Sequence, residues 1–143
     1  MNDMSDTIDA KGQCLCGAVE IEAKSLQKNI GACHCGMCRH WGGGPFLALQ
    51  CEGEVEIIGT NQVSVFDSSE WAERGFCNQC GTHLFYRLKQ NQQYYLPAGL
   101  FDLDEELHFD HQVFIDKKPI YYHFANETKN MTEEEVFAMF SGA

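Results

Sequence analysis

Basic residues are scarce in this 143-residue chain. Ten Lys and Arg stand against twenty-one Asp and Glu, a formal charge of −11. That balance excludes nucleic acid as an expected partner, because phosphate contacts need a basic face. Long apolar runs are also missing: none approaches the roughly 18 to 20 residues of a membrane span, so no membrane partner is expected. The opening stretch, Met1-Asn2-Asp3-Met4-Ser5-Asp6, has neither the basic start nor the apolar core of a secretory signal. A cytoplasmic location is the expectation. Disorder is excluded as the default state, since hydrophobic residues reach 44% and charged residues only 22%.

What the chain has in excess is cysteine, eight in all. In a chain with no sign of export, disulfides are not the expected use of them. Their spacing points elsewhere. Cys14 and Cys16 form a Cys-x-Cys, Cys33, Cys35 and Cys38 a Cys-x-Cys-x-x-Cys, and Cys77 and Cys80 a Cys-x-x-Cys, while Cys51 stands alone. Thiols two or three positions apart chelate one ion from a tight turn more readily than they bond to each other. Gly17, Gly36 and Gly81 each follow a cysteine, where positive φ lets backbone N–H groups turn toward the sulfurs. Clustered thiolates select zinc or iron–sulfur over magnesium or calcium. The usual iron–sulfur spacings are absent, so zinc is preferred, at two ions per chain. A closed structural site needs four ligands, which Cys14, Cys16, Cys77 and Cys80 supply from two distant turns. Cys33, Cys35 and Cys38 then form a separate three-thiolate site. That site is either open in its fourth position, as catalytic zinc sites are, or closed by His34, His40 or Cys51. His34, wedged between two ligands, is expected to point away.

These clusters and their surroundings resemble the glutathione-dependent formaldehyde-activating enzyme (GFA) family, which includes the centromere-protein-V domain. The matching stretches are Gly12-Gln13-Cys14-Leu15-Cys16-Gly17-Ala18-Val19, Cys33-His34-Cys35-Gly36-Met37-Cys38-Arg39 and Arg74-Gly75-Phe76-Cys77-Asn78-Gln79-Cys80-Gly81-Thr82-His83-Leu84. Ala98 to Asp102 and His111 to Ile115 match more weakly. The resemblance implies a mainly β, zinc-stapled fold of several coiled sheets and the same ligand partition. It also implies a carbon–sulfur lyase acting on a small thiol–aldehyde adduct such as S-hydroxymethylglutathione, with the substrate thiolate activated opposite Cys33, Cys35 and Cys38. The expected partner is a small-molecule thiol or thiol adduct, glutathione included, and a homo-oligomer is left open. The competing class is a non-enzymatic zinc-stabilised binding module of the same fold. Thiol–disulfide chemistry at Cys77 and Cys80 conflicts with their use as ligands.

Residues 1–11 read as a flexible tail and residues 12–143 as a single domain. Alternating apolar and acidic residues predict strands at Val19–Glu22 and Glu54–Ile57, and others are expected at Phe46–Leu49, Val63–Val65, Thr82–Leu88 and Gln93–Leu96. Gln112–Ile115 and Ile120–Phe124 read as a hairpin about Asp116-Lys117-Lys118-Pro119. Thr132 to Glu135 reads as a capping box that opens a short C-terminal helix with Val136, Phe137 and Phe140 on one face. Arg39 is a candidate contact for a substrate carboxylate, and Arg74 and Thr82 are candidates for bracing the second zinc turn.

Overall fold

The computed structural model describes residues 6–141. Those residues carry eleven strands and two α-helices, a mainly β architecture, and the backbone divides into two compact units. The first holds the chain up to Lys28 together with Leu49–Leu107; the second holds Asn29–Ala48 and the chain from His108 onward.

In the first unit, β1 (Thr7–Gln13) and β2 (Glu20–Gln27) pair antiparallel, and β2 also pairs with β5 (Val55–Ile58). The period-2 pattern dictates this: Val19, Ile21 and Ala23 are buried, while Glu20, Glu22 and Glu56 lie on the wetter face. The expected loose tail therefore ends early, because Thr7 to Lys11 already find partners on β2. Residues 1–5 lie outside the described residues. A second ladder runs antiparallel through β6 (Val63–Phe66), β7 (Ala72–Cys77), β8 (His83–Leu88) and β9 (Tyr94–Pro97). The neighbours Leu84 and Phe85 are both buried, so β8 is covered on both faces.

In the second unit, β3 (Asn29–Cys33) pairs antiparallel with the start of β4 (Phe46–Cys51) and parallel with β10 (His108–Val113). A second parallel step adds β11 (Lys129–Met131) beside β10. The short helix α1 (Gly36–Gly42) connects β3 to β4, and α2 (Glu133–Ser141) follows β11. The capping box forms as expected: Thr132 N–H donates to Glu135 Oε1 at 2.8 Å and Glu135 N–H to Thr132 Oγ1 at 3.2 Å. Val136 is buried, Phe137 keeps a ring contact with Phe114, and the Phe140 side chain lies outside the described ones.

One expected element is absent. The hairpin about residues 116–119 does not form; Phe114 takes a left-handed conformation (φ 56°) that ends β10, and Ile115–Lys117 make a single 3-10 turn. Lys118 Nζ then donates to the carbonyls of Pro119 and Tyr122 at 3.1 and 2.7 Å, holding Ile120–Phe124 as a loop rather than a strand. Among the described residues no helix is long and apolar enough to cross a membrane.

Candidate metal centres

The sulfurs of Cys14, Cys16, Cys77 and Cys80 all lie within 4.8 Å of one another. Two turns bring them there, one after β1 and one between β7 and β8. Gly17 and Gly81 sit at φ 83° and 81°, the left-handed conformation that lets each turn close behind its second thiol. Gly36, expected to do the same, instead opens α1. The N–H groups that reach sulfur come from elsewhere: Val19 to Cys14 at 3.3 Å, Gln79 to Cys77 at 3.4 Å and Cys38 to Cys35 at 3.3 Å.

Geometry tests the fit to a metal. Four sulfurs about 2.3 Å from a central zinc form a tetrahedron with edges of about 3.8 Å. Cys14 to Cys16 is 3.6 Å and Cys16 to Cys77 is 3.8 Å, close to that edge and far from a disulfide bond. All eight cysteines are free. The Thr82 hydroxyl ties the two turns together, accepting from Leu15 N–H and lying 3.1 Å from Cys80 Sγ. Hydrogen bonds from the Thr82 hydroxyl and backbone hold the Cys80 thiol down to about 5. Cys16 moves the other way. The Ala18 backbone lowers it, but burial and the neighbouring thiols together push it up to about 11. Cys14, like Cys80, is drawn toward ionisation while Cys16 resists it, the split that mutual coupling imposes on sulfurs packed this closely. A divalent ion at their centre relieves that conflict.

The second centre lies wholly within the other unit. Cys33 ends β3, Cys35 caps α1 and Cys38 lies in its first turn, and the three sulfurs fall within 4.8 Å of one another. Among the described residues no fourth His, Cys, Asp or Glu donor joins that group. Proximity to Cys35 and Cys38 pushes the Cys33 thiol far above its ordinary range, as expected of three sulfurs this close together. The candidates for closing the site are engaged elsewhere. His34 is fully buried, with Nδ1 2.8 Å from Tyr122 Oη and Nε2 2.7 Å from Gln112 Oε1. His40 Nδ1 pairs with Gly36 O at 2.7 Å, and the Cys51 thiol donates to Lys24 O at 3.1 Å.

Arg39 is fixed by its Nε, which donates to His34 O at 3.0 Å. It supplies the sole formal charge in residues 29–48, the segment that carries the three thiols. Among the described residues its guanidinium has no carboxylate partner. Trp41 packs edge-on against Phe46 with ring centroids 5.7 Å apart, an apolar pair on the same segment. Arg74 is buried and lies over the Tyr86 ring at 4.8 Å. Sequence reasoning missed Tyr122 and Gln112, which stand 88 and 78 positions from the histidine they hold.

Residues 9–117 match the profile of a family described as glutathione-dependent formaldehyde-activating enzyme. An uncharacterized lyase of Schizosaccharomyces pombe is 39% identical over 127 residues, a stretch covering 88% of this chain and 93% of that protein. A crystal structure of a Rhodobacter sphaeroides protein is similar with a TM-score of 0.55 and 25% identity, over 64% of this chain and 87% of that one.

Proposed function

The chain belongs to the glutathione-dependent formaldehyde-activating enzyme family, and from that premise we propose that it is a zinc-dependent carbon–sulfur lyase. Its substrate is a small thiol–aldehyde adduct of the S-hydroxymethylglutathione kind. The observation that carries this reading is three thiols converging, among the described residues, without a fourth side-chain donor and beside Arg39, which has no carboxylate partner among those residues. The similarity to a protein named a lyase supports the same class.

Cys33, Cys35 and Cys38 would hold the catalytic ion, and Cys14, Cys16, Cys77 and Cys80 a second, structural one. When bound, zinc supplies an open coordination position that lowers the pKa of a thiol placed there. Three thiolates leave such a centre with a formal charge of −1, better suited to holding a soft sulfur than to making hydroxide. The reaction balances simply. The carbon–sulfur bond breaks with its electron pair left on sulfur, a lone pair of the hydroxyl oxygen completes the carbonyl, and the hydroxyl proton passes to water. Arg39 offers its terminal N–H groups to a substrate carboxylate, and its tether to His34 O fixes where that carboxylate sits. Trp41 and Phe46, the latter paired with Cys33 across the β3–β4 ladder, would give the site an apolar flank.

The test is formaldehyde release from S-hydroxymethylglutathione by zinc-loaded protein. Turnover is expected, with Cys35→Ser abolishing it and Arg39→Ala raising KM. A fully loaded protein inactive on adducts of glutathione and of smaller thiols overturns the reading and leaves the binding module.

A further inference from the structure

Beside the three thiols runs a chain of hydrogen bonds whose direction can be read. Gln112 Nε2 donates to Thr128 Oγ1 at 2.8 Å, and Thr128 passes its own proton to Asn130 Oδ1 at 2.6 Å. The Gln112 amide is thereby oriented with its oxygen toward His34, 2.7 Å from Nε2. An amide oxygen only accepts, so His34 Nε2 carries the proton. In the neutral imidazole Nδ1 is then bare, and Tyr122 O–H must be the donor in their 2.8 Å contact. A hydroxyl has one proton. With it committed to His34, the Tyr122 oxygen can only accept from any further partner.

That oxygen sits in the surroundings of the site. Its ring packs against His34, the residue between Cys33 and Cys35, at 5.5 Å between centroids. The Cys33 thiol and the Arg39 guanidinium both act on it electrostatically. Its ring also meets Tyr121 and Phe124, at 5.4 and 6.0 Å, and Lys118 Nζ lies 5.5 Å from the ring centre, so the side chain is fixed from several sides.

We infer that Tyr122 determines specificity at this site, its oxygen accepting a hydrogen bond from the hydroxyl of the bound adduct. The inference rests on the lyase reading and names what that site selects: a thiol adduct that still carries an O–H donor, rather than a plain thioether. The contact orients the hydroxyl whose lone pair must become the carbonyl as the carbon–sulfur bond opens. A site that pairs a substrate hydroxyl disfavours the analogue without one, because the half-buried Tyr122 oxygen then loses the hydrogen bond that the adduct supplies.

The experiment compares S-hydroxymethylglutathione as substrate with S-methylglutathione as competitor, in wild type and in Tyr122→Phe. Phenylalanine keeps the ring contacts, and metal content and melting temperature verify the variant. Loss of kcat/KM on the adduct by about 10-fold is expected, with the S-methylglutathione inhibition constant changed less than about two-fold. A general packing defect would weaken both ligands together. Equal effects on the two, or none on either, overturn the inference. Should Tyr122→Phe fail to fold, wild type alone decides: equal binding of the two ligands refutes it. Wild type that turns over no adduct refutes instead the lyase reading.

Discussion

Cys51 behaves as a residue apart from the other seven cysteines. It is 2% exposed, and its thiol donates to Lys24 O and Gly53 O. Burial pushes this thiol above its ordinary value, with Glu52 and Asp9 adding to the rise. An unfolded thiol titrates near 8.5 (roughly), so between that value and the folded one the unfolded chain loses its proton first. Stability from Cys51 is therefore complete below about pH 8.5 and declines as pH rises through the folded pKa. Denaturant midpoints measured from pH 7.5 to 10 should fall more steeply for wild type than for Cys51→Ala, and parallel curves would refute this. Metal ligands and tyrosines cancel in that difference, being common to both proteins. At this scale the site was legible where its chemistry is written in close spacing. Cys-x-Cys and Cys-x-x-Cys declare themselves because chelation from one turn requires adjacent positions, and Thr82 was found because it neighbours a ligand. Tyr122, Gln112 and Thr128 left no such trace, since the strands and loop that bring them to His34 are long-range features.

Among the elements, strands whose two faces differ were readable and those serving both faces were not. Glu20 to Glu22 and Glu54 to Ile57 alternate because one side is wet. By contrast β7, Ala72-Glu73-Arg74-Gly75-Phe76-Cys77, buries Ala72, Arg74, Gly75 and Cys77, and no simple alternation survives. The helix α1 escaped notice because it spans only Gly36–Gly42, two of them glycines, capped by a cysteine rather than by Ser or Asp. The expected strand at Ile120–Phe124 failed for a different reason, since the Lys118 ammonium occupies the carbonyls that a ladder would use. Gly75 exposes a further constraint on β7. A Cβ there would stand 2.3 Å from two ring atoms of Phe85, itself 1% exposed with no room to retreat. Gly75→Ala should cost about 1 to 3 kcal/mol in denaturant unfolding. Pairing it with Phe85→Leu, which shortens the offending ring, should give less than the sum of the two single effects. Strict additivity would show that the ring does not confront the new methyl.

For the molecule as a whole, acidity and metal pull in related directions. Seven thiolates and two divalent ions would add a further −3 to the formal −11, bringing the chain to about −14. An anionic substrate then approaches against the overall field; in the segment 29–48 Arg39 offsets the −1 of the metal-loaded three-thiolate centre, which makes that segment the local exception. The two thiol clusters also lie in different compact units, so each ion should answer to its own part of the chain. The four-thiol cluster joins the β1–β2 turn to the β7–β8 turn, 61 positions apart between Cys16 and Cys77. Closing so long a loop is costly for a free chain, and the ion's binding free energy offsets it. The three-thiol cluster spans only six positions and closes almost nothing. Cys77→Ser should therefore lose one ion and lower the melting temperature by more than about 10 °C, since structural zinc is worth on the order of 10 kcal/mol in small peptides. Cys35→Ser should also lose one ion, yet melt within a few degrees of wild type while losing activity. Strong chelation of wild type should reproduce the Cys77→Ser melting shift. If melting stays unchanged after metal analysis verifies that both ions are gone, the four-thiol cluster does not hold this fold together.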